Sequence, residues 1–347
     1  MKFDLAINLE RISGNLEMPA VVKHTLDMVQ MAEAGGFTTV WSAEHHALEM
    51  TIAPDPFQLL TWWGSNTDTI RLGTAVAVAP YWHPIKLAGE AAMCDVLSGG
   101  RLELGIGSGA YQREFDRMRP GLSQKDGQLY VYEMVPALKN LWLGDYEHDG
   151  EYWNFPTSTS VPKPMQQPHP PLWAAARSPS TFDFAIRHEM NVLSWPLTRP
   201  MSEAERYVSF FDDALKNNPG KPRPLFAMMR HTSVYDHVED WQISIQGLQR
   251  TLGQFENVFK NLGDVVLGFP KQIDLATLEN REQYNAEMLR DNLVFGTPEQ
   301  VIKKLQVYES LGVDQFIYYA SMGLDKETQK HSLDLFIKEV MPAFQEW

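Results

Sequence analysis

Three short stretches carry residue types that do chemistry when held together. The first is Glu44-His45-His46, directly after the strand-like run 38–43. Histidine titrates near neutrality, so it can both take and give a proton. Adjacent side chains on extended backbone point apart, so this pair lacks the chelating geometry of two histidines one helical turn apart. Two histidines beside a carboxylate at a strand end read as general acid/base machinery; a structural hydrogen bond in the loop is the plain alternative. The second stretch is Gly105-Ile106-Gly107-Ser108-Gly109. Backbone this bare can lie against a flat ring or a phosphate, or it can be a tight turn. A dinucleotide fingerprint would follow a first strand and carry an acid ~20 residues later, which this loop does not match. The third stretch is Ala176-Arg177-Ser178-Pro179-Ser180-Thr181, opening a helix. Free N–H groups at a helix start attract an anion, and a guanidinium fork with nearby hydroxyls suits phosphate. Plain capping by serine is the alternative there.

Such residues act together only if the surrounding elements bring them to one place. Strand-like runs fall at residues 3–7, 38–43, 70–78, 101–106, 172–176, 192–195, 225–230 and 315–320. Helical patterns follow at 19–34, 55–65, 83–97, 123–143, 179–188, 202–216, 241–259 and 328–344, with a further helix at 298–311. Eight alternating units predict an α/β fold, a (β/α)8 TIM barrel of one domain over residues 1–347. A doubly wound sheet would need a glycine-rich turn after the first strand, and residues 8–15 have none. In a barrel the site lies where the strands end, which is where all three stretches fall. Two insertions interrupt the rhythm. Residues 145–171 read as an extended loop or small hairpin after helix four. Residues 261–292, between strands seven and eight, contain Gly263, Gly268 and Pro270 and read as a mobile lid whose Leu267 and Phe269 could cover an apolar pocket.

Composition narrows the partners. The 347 residues carry 30 Lys+Arg against 44 Asp+Glu, a net charge of −14. A surface this acidic binds nucleic acid poorly, although one local phosphate site remains compatible with it. The lone cysteine, Cys94, allows no internal disulfide, sits mid-helix among small residues and reads as a buried, inert thiol. The first residues run into a strand containing Asp4 and do not read as a signal peptide, and no apolar run reaches the ~18 residues of a membrane span. A cytoplasmic protein is expected. Ten tryptophans suggest a pocket lined with flat rings, with Tyr81, Trp82, Trp63 and Tyr111 near its rim and Trp41, Trp173 and Trp195 in the core.

Several segments together resemble the bacterial luciferase-like flavin monooxygenases. They are the 36–46 stretch ending in Glu44-His45-His46, the run 72–80 with His83-Pro84, the run 97–109, the turn 177–181, Leu193-Ser194-Trp195, and the segment beginning Phe295-Gly296-Thr297-Pro298. The likeness runs through nearly the whole chain in preserved order. It implies reduced FMN as a diffusible co-substrate, a separate flavin reductase that supplies it, and a homodimer built through the helices near 55–65 and 83–97. It places a catalytic histidine at His45, a non-prolyl cis peptide beneath the flavin ring at Ala75-Val76, and the flavin phosphate at Arg177, Ser178 and Thr181. Gly107 and Ser108 stand where luciferase itself has a reactive cysteine and a phosphate-binding arginine. Light emission and aldehyde chemistry are therefore not carried over. The expected function is oxygenation of a small organic substrate through a flavin C4a-hydroperoxide, by Baeyer–Villiger insertion or hydroxylation. His45 would move the proton while Glu44 and His46 orient it. A deazaflavin-dependent hydride transfer on the same fold, a metal-dependent barrel hydrolase using His45 and His46, and a non-catalytic flavin-storing protein are the alternatives.

Overall fold

A computed structural model describes residues 1–320 and 323–344 of the chain. Eight parallel strands form the centre: β1 Lys2–Ala6, β2 Thr39–Ser42, β3 Arg71–Thr74, β4 Leu102–Gly107, β5 Leu172–Ala175, β6 Asn191–Ser194, β7 Phe226–Val234 and β8 Gln315–Tyr319. Neighbours in sequence pair in space, and β8 returns to β1 through Lys2↔Gln315, which closes the barrel. Helices α1 Met18–Ala34, α2 Pro56–Gly64, α3 Pro84–Leu97, α4 Gln112–Met118, α5 Gly127–Leu143, α6 Pro179–Arg187, α7 Met201–Asn217, α8 Trp241–Lys260, α9 Ala286–Asn292, α10 Pro298–Ser310 and α11 Lys326–Leu335 accompany the strands. Strands buried on both faces explain the near-continuous apolar runs in the sequence.

The departures from the sequence expectation have physical causes. The third strand does not run unbroken over 70–78. It stops at Thr74, the Ala75–Val76 peptide is cis, and pairing resumes with Ala77↔Ile106. Helix α4 lies in a stretch that reads as loop, because Gln112–Met118 is nearly all polar and lacks an apolar period. Residues 145–171 include the small hairpin Tyr146–Asp149 with Asn154–Ser158. Strand β7 runs four residues past its predicted end at 230, because Val294–Gly296 pairs alongside its last residues. Among the described residues no helix is long and apolar enough to cross a membrane.

The barrel interior is filled by Ala6, Trp41, Trp173, Leu193, Ala227, Met229 and Ile317. The Trp41 and Trp173 rings meet edge to face at 5.1 Å. Gly73 permits this, because a Cβ there would collide with the Trp41 ring. Each indole N–H donates to a buried carboxylate: Trp41 to Asp4 at 3.0 Å and Trp173 to Glu103 at 2.6 Å. Glu103 also pairs with Arg71. Among the described residues Asp4 makes no ion pair, and burial, with Glu103 adding to the effect, pushes its pKa from 3.8 to about 7 despite the Trp41 bond and the charge of Lys2.

That shift makes a stability prediction. A carboxyl whose folded pKa is raised favours the fold below its unfolded pKa and loses that contribution as pH rises through about 4 to 7. Asp4→Asn keeps an acceptor for Trp41 without the charge. The variant should melt higher than the parent at pH ~8, by up to a few kcal/mol, and the gain should shrink toward pH ~5. Thermal melts across that range check it; a gain independent of pH would show that the Asp4 carboxyl titrates in the fold as it does in the unfolded chain.

Candidate active site

A cavity of about 460 Å³ opens at the carboxyl ends of the strands. Its wall includes His45, Glu44, Ala75, Val76, Gly107, Ser108, Arg177, Ser178 and Thr181, so loops separated by more than a hundred residues meet here. Of the predicted acid/base set, His46 is not on this wall. Its Nε2 lies 2.8 Å from a Glu44 oxygen, and its ring packs against Tyr81.

The geometry changes the expected partnership of the histidines. Glu44, buried, accepts from the Val78 amide at 2.7 Å and the Trp82 indole at 2.8 Å as well as bonding His46. It ties the loop after β2 to the segment beyond β3, and among the described residues no hydrogen bond joins its side chain to His45. Burial by itself would lower the His46 pKa, but the bond to Glu44 and its charge outweigh that and leave it raised. His45 is held by Glu114 instead: Nδ1 lies 3.0 Å from Oε2, while Oε1 accepts the His46 amide at 2.6 Å. Tyr111 stacks on the His45 ring at 4.7 Å and 20°. Glu114 is 3% exposed and comes from α4, the helix without a periodic signature. Its only sequence signal is an acid in the first turn after the glycine loop. A carboxylate on Nδ1 fixes which imidazole nitrogen is left to serve the cavity.

At the floor, Gly107 faces Val76, and a Cβ there would collide with that side chain. The result is a bare, flat backbone surface beside Ala75, Val76 and Ser108. At the far end α6 begins. The Thr181 hydroxyl is not free for a ligand: it accepts from the Arg177 and Ser178 amides at 3.3 and 3.2 Å and donates to the Ser178 carbonyl at 2.8 Å. Thr181 therefore shapes the turn, and Ser178 and Ser180 place two hydroxyls 3.1 Å apart beside it. The Arg177 guanidinium is exposed and makes no ion pair or hydrogen bond among the described residues. In a chain of net charge −14, an unengaged arginine at a helix start in a cavity wall fits an anion. Flat floor at one end and phosphate-type donors at the other fit FMN.

The aromatic expectations divide. Tyr111 lines the cavity, but Tyr81, Trp82 and Trp63 do not; Trp63 is fully buried on the inner face of α2 and Trp82 serves Glu44. Trp41 and Trp195, expected in the core, contribute cavity wall, and Phe255 and Phe259 of α8 join them. Cys94 is buried, and burial pushes its thiol up to about 11, which leaves it unreactive. The 261–292 segment docks through its hairpin tip, where Gly268 accepts from the Glu49 amide at 2.8 Å. Phe269 packs under Arg11, while Leu267 is 89% exposed, so neither covers the cavity as expected.

The family described as luciferase-like monooxygenase matches residues 1–315. The oxygenase component of a flavin-dependent trigonelline monooxygenase from Acinetobacter baylyi is 40% identical over 100% of this chain and 96% of its own. An FMNH2-dependent dimethylsulfone monooxygenase from Pseudomonas putida is 25% identical over 96% and 93%. Among solved structures, the monooxygenase RslO1 from Streptomyces bottropensis superposes with a TM-score of 0.82 at 22% identity, covering 99% of this chain and 100% of that one.

Proposed function

This chain belongs to the luciferase-like monooxygenase family and is an FMN-dependent monooxygenase, and we propose that its substrate is a small, flat nitrogen heterocycle of the trigonelline kind. Reduced FMN is the diffusible co-substrate, supplied by a separate reductase. The observation that carries the reading is a single cavity with His45 held on Glu114 in one wall and the Arg177 turn in another. Reduced FMN, when bound, supplies the two electrons that let O2 deliver one oxygen atom to the substrate and the other to water. The chain's own residues do the rest. Arg177, Ser178 and Ser180 bind the phosphate. The floor at Ala75, Val76 and Gly107 orients the ring. With Nδ1 committed to Glu114, His45 Nε2 is the atom that holds and moves the proton. Tyr111, Phe255 and Phe259 exclude water from the reacting end.

Oxygen uptake tests the proposal. The protein, a flavin reductase, NADH and FMN are mixed with trigonelline or nicotinate as probes. Uptake coupled to an oxygenated product is expected with FMN. Turnover with a reduced deazaflavin and no O2 uptake would overturn it.

Two quaternary and dynamic features belong to the same reading. Met93, Val96 and Leu97 of α3 are exposed, as are Val161 and Met165, which lie near Gly89 within that helix and Gly100 just past it. An apolar patch of this kind marks a protein contact, here with a second copy of the chain. Leu97→Glu should lower the mass seen in sedimentation from dimer to monomer; a parent that sediments as a monomer would remove the homodimer. The segment 261–292 acts as the lid, docked at its tip through Gly268 and on α8 through the Ile273 amide, the Lys271 carbonyl and the buried Leu278, Tyr284 and Leu289. Protease should cut there first and more slowly with FMN bound, whereas equal rates in both states would remove the lid.

A further inference from the structure

A second chamber of about 90 Å³ adjoins the main cavity, behind Trp195 and Phe255, which line both. It is far too small for a flavin and large enough for part of a single small ring. Its walls come from the loop after β6, from β7, β8 and α8, from the loops after β1 and β2, and from the 261–292 insertion. Nothing in the flavin-binding arrangement uses it.

Four ionised side chains line this chamber, two of each sign: Arg199 and Lys260, Glu10 and Glu256. Arg199 is already paired with Glu203 at 3.0 Å, which leaves Lys260 and Glu256 as the charges that read a ligand. Glu256 is buried and lies 2.9 Å from Lys260, one helical turn away on α8. The ammonium of Lys260 also donates to the Asn280 side chain at 2.7 Å, and the Tyr284 hydroxyl bonds Glu256. The paired charges thus reach the chamber from a fixed polar network, between aromatic faces. A lining of this kind desolvates a net cation or net anion without full compensation. It compensates a molecule carrying both signs on one ring.

Resting on the proposed heterocyclic substrate, we infer that this side chamber is a charge-reading substrate subsite that selects a zwitterionic aromatic ring. A carboxylate on the ring accepts from Lys260. A cationic ring nitrogen faces Glu256 and the aromatic walls of Trp195 and Phe255. Lys260 and Glu256 are specificity-determining residues that take no part in the oxygen chemistry.

The test is binding to the oxidised, FMN-loaded protein, followed by calorimetry and by the visible flavin spectrum. Three probes share one ring: trigonelline, which is zwitterionic; nicotinate, which is anionic; and N-methylnicotinamide with its methyl on the ring nitrogen, which is cationic. The parent should bind trigonelline at least about tenfold more tightly than either other probe. Lys260→Met should weaken trigonelline and nicotinate by about tenfold and leave N-methylnicotinamide nearly unchanged; Glu256→Gln should weaken the two methylated probes and spare nicotinate. Lys260→Arg should restore most of the trigonelline affinity. Equal losses for all three probes in both variants, or a parent that binds none or does not prefer the zwitterion, would overturn the subsite. The preferred order without oxygenation of any probe would instead overturn the proposed reaction and leave the subsite standing.

Discussion

His45→Ala should retain FMN and lose productive oxygenation. The phosphate end of the cavity lies on other loops, so flavin affinity should move little. A positioned general acid or base contributes about a hundred- to ten-thousandfold, and product formation should fall within that span. Oxygen consumption should fall less than product, with hydrogen peroxide making up the difference. Glu114→Gln separates position from charge: it keeps a side chain against Nδ1 but loses the carboxylate, so the pH profile of product formation should shift before the maximal rate collapses. Product and peroxide are measured in the same reaction. Normal turnover by His45→Ala would remove the acid/base assignment.

The second large effect is at Arg177. A charge-assisted bond to phosphate contributes roughly 1.5–3 kcal/mol, so Arg177→Ala should weaken FMN binding by about ten- to a hundredfold. Riboflavin has no phosphate, and its affinity should barely change. The gap between the two flavins should narrow, and the rate at saturating reduced FMN should persist. Thr181→Val should behave differently, because its hydroxyl holds the Arg177 and Ser178 amides; it should loosen the turn and lower stability together with FMN affinity. Fluorescence titration with both flavins decides. Equal weakening of both would show that Arg177 supports the ring or the fold, and the phosphate would then belong near Ser108.

The barrel was legible because its strands are short apolar runs bounded by turns, and their number and spacing leave few topologies. His45 and the Arg177 turn were legible because each follows a strand, where a barrel gathers its site. The partner of His45 was not. Glu44 is adjacent in sequence, yet an extended backbone aims it at Trp82 and His46. Glu114 arrives from a seven-residue helix with a single buried aromatic, Phe115, too little for a periodic signal. The aromatic wall failed for a related reason. Composition counts rings, but only tertiary packing decides that Trp63 is buried under its own helix while Phe255 faces a cavity. The pairing of Lys260 with Glu256 has the spacing of an ordinary surface ion pair, and only the insertion packed over it makes it a chamber wall.

The central claim is that one oxygen atom passes from O2 to the substrate at the expense of reduced FMN. A single turnover with chemically reduced FMN, trigonelline as probe and O2 carrying the heavy oxygen isotope tests it most directly. The account predicts a product that gains one labelled oxygen per FMN oxidised, with none in an anaerobic control. An unlabelled product, or product formed without O2, would contradict it.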